Sequence, residues 1–392
     1  MRVYDKFIRD NVKHGAFKLV HPNGDEQVYG HGPVSVVWRI NDPRVLSKIV
    51  RNPLLNLGET YIEQGWDVED GKLAELLTIL RTNFEGGLVR RGFLAACTGV
   101  LQSWNNLSSS MHNVSHHYDL DESLFRAFLD QDMHYSCAYF RTPDLTLEAA
   151  QSAKCDHIRK KLCLKPGQKV LDIGCGWGSL GLNLAEQNDV HVTGLTLSNE
   201  QLSVAKQEAA RRCLDNQAQF HLEDYRNHRG QYDAIVSVGM FEHVGLRNFN
   251  HYFNKVAELL SEDGIALIHT IGHTDRPAAT NPWIRRHIFP GGYIPAVSEI
   301  TSAVEQSPLV FADIEVWRQH YALTLKEWNH RFQAVRSEFV RDKGERFCRI
   351  WEFYLLSCQT AFEISSHVVY QLQLSINNAS VPTTRNYLYD LA

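Results

Sequence analysis

The segment richest in chemistry runs Val170-Leu171-Asp172-Ile173-Gly174-Cys175-Gly176-Trp177-Gly178. An apolar strand pattern passes directly into three glycines, and a helix pattern opens at Ser179–Leu180. Missing side chains let a ligand reach the backbone in such a turn, and the N–H groups of a helix start favour a polar or anionic group. Two cofactor classes use this geometry. A dinucleotide fingerprint requires G-x-G-x-x-G and an acidic residue roughly 20 positions further on, at the end of the second strand. Here the third glycine position is Ser179 and the second strand ends at Thr196, which argues against a nicotinamide dinucleotide.

Gly174, Gly176 and Gly178, preceded by Asp172, instead resemble motif I of the class I methyltransferases. That resemblance implies that the acid and the glycines hold the methionine end of S-adenosylmethionine. The second strand runs out into Leu195-Thr196-Leu197-Ser198-Asn199-Glu200-Gln201 and lacks the usual acidic residue for the ribose hydroxyls. Thr196, Ser198 and Gln201 have to serve there. Glu223-Asp224-Tyr225-Arg226 follows the next strand, and its carboxylate at Asp224, with Glu223 beside it, suits the adenine amino group.

These residues need a scaffold, and the hydrophobic periodicity supplies one. A helix is predicted over Leu145–Leu162, a strand over Lys169–Ile173, a helix over Leu180–Gln187, a strand over Val190–Leu195 and a helix from Asn199. Strands recur at Ala218–Leu222, Tyr232–Val238 and Ile265–Ile271, with a helix over Phe249–Leu260. The alternation predicts an α/β fold, a doubly wound, mostly parallel Rossmann-like sheet. Two long helices are expected at Leu325–Arg341 and Glu345–Tyr370, and a last strand-like stretch at Gln371–Ile376. Ahead of all this, Phe17–His21 and Glu26–Tyr29 flank a Pro-Asn-Gly-Asp turn and Val34–Ile40 is β-branched, the pattern of a smaller N-terminal α+β domain. Trp104–His117 has the composition of a linker. The division is therefore residues 1–103, a linker at 104–120 and a catalytic domain at 121–392. His112, His116 and His117 lack an acidic or cysteine partner at ligand spacing, and no metal site is expected.

From about Asp121 to Phe362 the motifs follow the order of the cyclopropane-fatty-acid synthases, with the mycolic acid cyclopropane synthases as close relatives, and the chain is identified as resembling that family. The carrying segments are Tyr135–Phe140, Leu171–Gly178, Thr196–Gln201, Asp224–Arg226, Ser237–Gly245, His269–Gly272, Ile288–Pro295 and Tyr354–Cys358. The resemblance implies transfer of a methyl from S-adenosylmethionine to a cis double bond of a phospholipid acyl chain, then ring closure with loss of a proton. An alkene is a weak nucleophile, so such a reaction depends on alignment in a dry pocket. A protein carboxylate beside the developing cation could collapse onto it, and the family is understood to use bound bicarbonate as the base. The resemblance assigns Glu242, His269 and Tyr321 as its side-chain ligands, and Cys137 and Ile271 largely through their backbone. Tyr135 and Ser136 match positions that close over the methionine part of the cofactor. Cys358 matches a cysteine once regarded as a nucleophile, although the chemistry needs no covalent intermediate. Methylation to a branched or methylene product and a non-catalytic lipid-binding protein are the competing readings, and the complete motifs weigh against both.

Composition narrows the setting. A net charge of −5, with 44% apolar and 22% charged residues, suits a soluble globular chain with no global attraction to nucleic acid or anionic lipid. No secretory signal or membrane span is legible, and the eight scattered cysteines read as reduced thiols. A cytoplasmic protein is expected, peripherally associated with the inner face of the membrane. Trp283, Ile284, Arg285, Arg286, Ile288 and Phe289 within Pro277–Pro295 suit either an interfacial contact or a lid. The N-terminal domain carries no chemical motif and is assigned to lipid docking or homodimerisation.

Overall fold

The computed structural model describes residues 3–89 and 122–389, so the expected linker and its three histidines lie outside the described residues. Near the N-terminus the predicted turn closes a hairpin. Strand β1 (Ala16–Val20) pairs antiparallel with β2 (Glu26–Gly30), Phe17 opposite Tyr29. Strand β3 (Val36–Ile40) runs parallel to β1, and β4 (Trp66–Val68) antiparallel to β3, giving the order β2-β1-β3-β4.

This sheet does not close its own core from the N-terminal segment alone. Residues Ala279–Pro290 and Leu325–Ser366 belong to the same compact unit, which departs from the single stretch 121–392 expected for the second domain. The physical reason is that so short a segment buries too little apolar surface by itself. Helix Glu345–Ile364 supplies Arg349, which is buried, donates to the Tyr61 carbonyl at 2.8 Å, pairs with Asp67 and lies over the Tyr61 ring at 4.5 Å. Helix Pro282–His287 inserts Trp283 against Gly58, where a Cβ would come within 2.5 Å of the indole nitrogen, and against the Phe353 ring at 4.7 Å. Trp283 and Ile288 are 1% exposed. These two face inward, which corrects the interfacial reading for them, while Arg286 reaches outward to Glu59 at 2.9 Å.

The second unit is built on seven strands: β5 (Lys169–Ile173), β6 (His191–Thr196), β7 (Ala218–Leu222), β8 (Tyr232–Val238), β9 (Leu260–His273), β10 (Val310–Trp317) and β11 (His367–Ser375). Their order is β10-β11-β9-β8-β5-β6-β7. Strands β5 to β9 are mutually parallel, and β11 is antiparallel to both its neighbours. Helices cover both faces, so the doubly wound α/β fold holds, with a smaller N-terminal domain. Strand β11 starts at His367, so the predicted helix ends at Ile364, where Ser365-Ser366 precede β-branched Val368-Val369. Strand β10 went unpredicted because Asp313 and Glu315 interrupt its apolar pattern. The chain leaves β5 for β6 on one side and returns to β8 on the other, and the crevice beyond the carboxyl ends at such a reversal is where open α/β sheets bind ligands.

Candidate active site

Two groups of residues meet this crevice. One cavity is lined by Tyr135, Ser136, Asp172, Gly174, Gly176, Thr196, Gln201, Glu223 and Asp224. The turn after β5 is braced internally: the Gly174 and Cys175 N–H groups both donate to the Leu195 carbonyl, at 3.0 and 2.9 Å. Those two bonds hold the start of the turn against the end of β6. Gly176 has φ +54 and a Cβ there would meet no protein atom within 4 Å, so any side chain would occupy the cavity. Gly178, at φ +85, is outside the lining, and a Cβ would sit 2.8 Å from the Ala205 methyl. Its part is close packing of helix on strand.

Thr196 Oγ1 donates to Gln201 Oε1 at 2.8 Å, and Ser198 caps the helix Asn199–Arg211 by accepting from the Gln201 N–H at 3.2 Å. Ser198 thus holds the loop that presents Thr196 and Gln201. The Asp224 carboxylate accepts from Arg226 Nε at 2.8 Å and Nη2 at 2.6 Å, and Glu223 pairs with His228 at 2.9 Å. Tyr135 packs edge-on against Phe125, ring centroids 5.1 Å apart.

Asp172 is 2% exposed, and its Oδ2 has no hydrogen-bond partner. Burial pushes its pKa up to about 7, offset only by the positive charge of Lys154. An unpartnered buried carboxylate beside an open glycine turn fits the ammonium of an amino-acid moiety, so these residues suit S-adenosylmethionine. Sequence reasoning missed Lys154, one lysine in an ordinary helical pattern, which lines the same cavity and donates to Ser136 Oγ at 2.9 Å.

The second group lies beside that cavity and outside its lining. Glu242 sits on the turn after β8, 8% exposed; its Oε1 accepts from the Ile271 N–H at 2.6 Å, and its Oε2 has no partner. Burial pushes its pKa up to about 7, against the pull of the Ile271 N–H. Ile271 therefore engages Glu242 through its backbone. His269, two residues earlier on β9, is 2% exposed and held neutral by desolvation, its pKa well below the usual value. Gln371, directly opposite on β11, donates from Nε2 to His269 Nδ1 at 3.1 Å. That bond places the imidazole proton on Nε2. Gln371 was also missed by sequence reasoning, since a fully buried glutamine has no motif around it. Cys137 is buried, and desolvation raises its thiol pKa. Next to it the Ala138 N–H donates to Thr324 Oγ1 at 3.0 Å, which ties this segment to the helix His320–Lys343, whose first turn carries Tyr321.

Cys358 belongs to the first unit, outside the cavity lining, and burial pushes its thiol up to about 12. A thiol so protonated is a poor nucleophile. Among the described residues no cluster of three His, Cys, Asp or Glu side chains could hold a metal ion.

Residues 105–372 match the family model described as mycolic acid cyclopropane synthetase, and residues 3–88 match a domain of unknown function. The cyclopropane-fatty-acyl-phospholipid synthase of Escherichia coli strain K12 is 36% identical over 351 residues, 89% of each chain. A probable fatty acid methyltransferase of Pseudomonas putida is 38% identical over 378 residues, 94% of each. The crystal structure of mycolic acid cyclopropane synthase CmaA1 complexed with SAH and CTAB superposes with a TM-score of 0.64 at 33% identity, covering 67% of this chain and 97% of that one. With the cofactor turn, the doubly wound sheet and the match over two thirds of the chain in agreement, this chain belongs to the cyclopropane synthase family of S-adenosylmethionine-dependent methyltransferases.

Proposed function

We propose that the chain is a cyclopropane-fatty-acyl-phospholipid synthase that adds a methylene unit to the cis double bond of a phospholipid acyl chain, with bicarbonate as the base. S-adenosylmethionine supplies the one-carbon unit, and bound bicarbonate supplies a base too weakly nucleophilic to trap the cation. The observation that carries this reading is Glu242, a buried carboxylate with one oxygen pinned by the Ile271 N–H and the other unpartnered. Such an oxygen accepts from the hydroxyl of a small oxyacid and turns its basic oxygens toward the substrate. His269, neutral and with Nδ1 engaged by Gln371, offers an Nε2–H donor to the same anion. Tyr321 and the backbone at Cys137 complete the donor set. Asp172 and the glycine turn hold the methionine end of the cofactor, Tyr135 and Ser136 cover it, and Thr196, Gln201 and Asp224 meet the adenosine. Cys358 takes no direct part.

The substrate chain is reached from the cytoplasmic surface of the membrane, and the N-terminal domain docks on lipid or pairs two copies. A second reading draws support from the methyltransferase named among the relatives: a branched or methylene product without a ring. The test combines purified protein, methyl-labelled S-adenosylmethionine and vesicles of cis-monounsaturated phospholipid, with mass spectrometry of the fatty acids. A product one CH2 heavier and lacking the alkene, formed only when bicarbonate is present, is expected. A methylene or methyl-branched product that keeps a double bond supports the second reading, and activity indifferent to bicarbonate overturns the base assignment.

A further inference from the structure

Lys154 lies inside the second unit on the helix Leu147–Lys161, only 1% exposed. Its ammonium lines the cofactor cavity and donates to Ser136 Oγ at 2.9 Å. Among the described residues no carboxylate comes within ion-pair distance of it. A buried ammonium satisfied by one hydroxyl is costly, because two of its donors lack partners and its charge is met only at a distance, Asp130 and Asp172 being among the groups that oppose it. Desolvation accordingly lowers its pKa. Across the same cavity stands the complementary defect, the Asp172 carboxylate with an unpartnered oxygen. The two do not cancel each other by contact, so the cavity holds one unpaired charge of each sign. A zwitterion fits that pattern, and the α-amino acid end of the cofactor is one.

The sheet order decides which end of the cofactor Lys154 meets. Thr196 and Asp224 follow β6 and β7, at one edge of the sheet. The helix carrying Lys154 is anchored at the other edge, where His157 and Lys161 hold Glu315 of β10 at 2.7 and 2.5 Å. Lys154 therefore enters the cavity from the side away from the adenosine.

We propose that Lys154 is the counter-charge for the α-carboxylate of the cofactor, acting directly and through Ser136. The ammonium occupies a lone pair of Ser136 Oγ, which leaves the Ser136 proton to point at the same carboxylate. The inference rests on the reading that S-adenosylmethionine occupies this cavity. It adds that the carboxylate is read as a specificity element, so adenosine thioethers without the amino-acid end forgo this contact.

Calorimetric titration of the full chain with two probes tests this: S-adenosylhomocysteine, which carries the zwitterion, and 5′-methylthioadenosine, which lacks it. Lys154→Met is expected to weaken S-adenosylhomocysteine binding at least tenfold and methylthioadenosine binding less than twofold, with Lys154→Arg recovering part of the loss. Methylthioadenosine serves as the folding control. Equal losses for both probes, or no loss for either, overturn the proposal. So does unchanged S-adenosylhomocysteine binding with a raised bicarbonate requirement, which would assign the ammonium to the base site. If the wild-type chain binds neither probe, the cofactor cavity itself is misassigned, a failure distinct from that of Lys154.

Discussion

Asp172 and Glu242 are both buried acids pushed up to about 7, yet they are supported in opposite ways. Asp172, at the end of β5, leans on the distant charge of Lys154 and leaves an oxygen without a partner. Glu242, after β8, has one oxygen fixed by a backbone N–H before any ligand arrives. The cofactor cavity thus carries charges that a ligand must complete, whereas the neighbouring cluster is preoriented by the sheet. Binding energy suits the first arrangement, and a fixed geometry suits the proton removal proposed for the second.

The sharpest way to break this contrast is Glu242→Gln. It keeps the size of the side chain and removes the negative acceptor, so turnover should fall about 10²- to 10³-fold. S-adenosylhomocysteine affinity, read by calorimetry, should stay within twofold. Asp172→Asn should do the reverse, weakening S-adenosylhomocysteine roughly 10- to 50-fold through loss of a charge-assisted hydrogen bond. Gln371→Leu frees His269 to take either tautomer, and a supporting bond of this kind typically accounts for about tenfold in rate. The loss should be largest at low bicarbonate in steady-state assays.

The two acids also set a pH dependence of opposite sign for stability and binding. Each has a folded-state pKa raised above its unfolded value, from 3.8 or 4.5 to about 7. At these two positions the folded protein therefore holds more protons than the unfolded chain between about pH 4 and 7, and their contribution to stability falls as pH rises through that window. Buried His243 and His269, held neutral, act with the opposite sign in wild type and variants alike, so the test is the difference: the melting temperature of the ligand-free wild type, relative to Asp172→Asn or Glu242→Gln, should fall as pH rises across this window. S-adenosylhomocysteine affinity should instead rise with pH toward 7 as Asp172 ionises. The smallest effect is expected for Cys358→Ser, with activity unchanged within twofold in the same lipid assay.

Much of the cofactor side was legible because its residues follow strand ends in contiguous motifs. Strands β7 and β8 fall at the predicted residues, and Thr196, Gln201 and Asp224 all reach the cavity. Lys154 and Gln371 were not legible, since each is a polar residue buried by tertiary packing that no periodicity announces. Ser198 and Gly178, expected as ligand contacts, lie outside the cavity lining, where one caps a helix and the other allows close packing. The N-terminal hairpin was readable from its turn, but its dependence on residues 279–290 and 325–366 is a long-range fact that composition does not carry.

That dependence bears on how the polypeptide could be divided. The N-terminal segment is completed by Trp283, Arg349 and Glu352, and Glu352 accepts from the Tyr61 hydroxyl at 2.8 Å. Deleting residues 1–89 would strip partners from helices encoded more than two hundred residues later, so the catalytic half should not be soluble as a simple truncation. Two separately encoded pieces, 1–98 and 99–392, should instead find each other when co-expressed and co-purify. The first unit, to which both pieces contribute, would then be the joint of a two-chain protein.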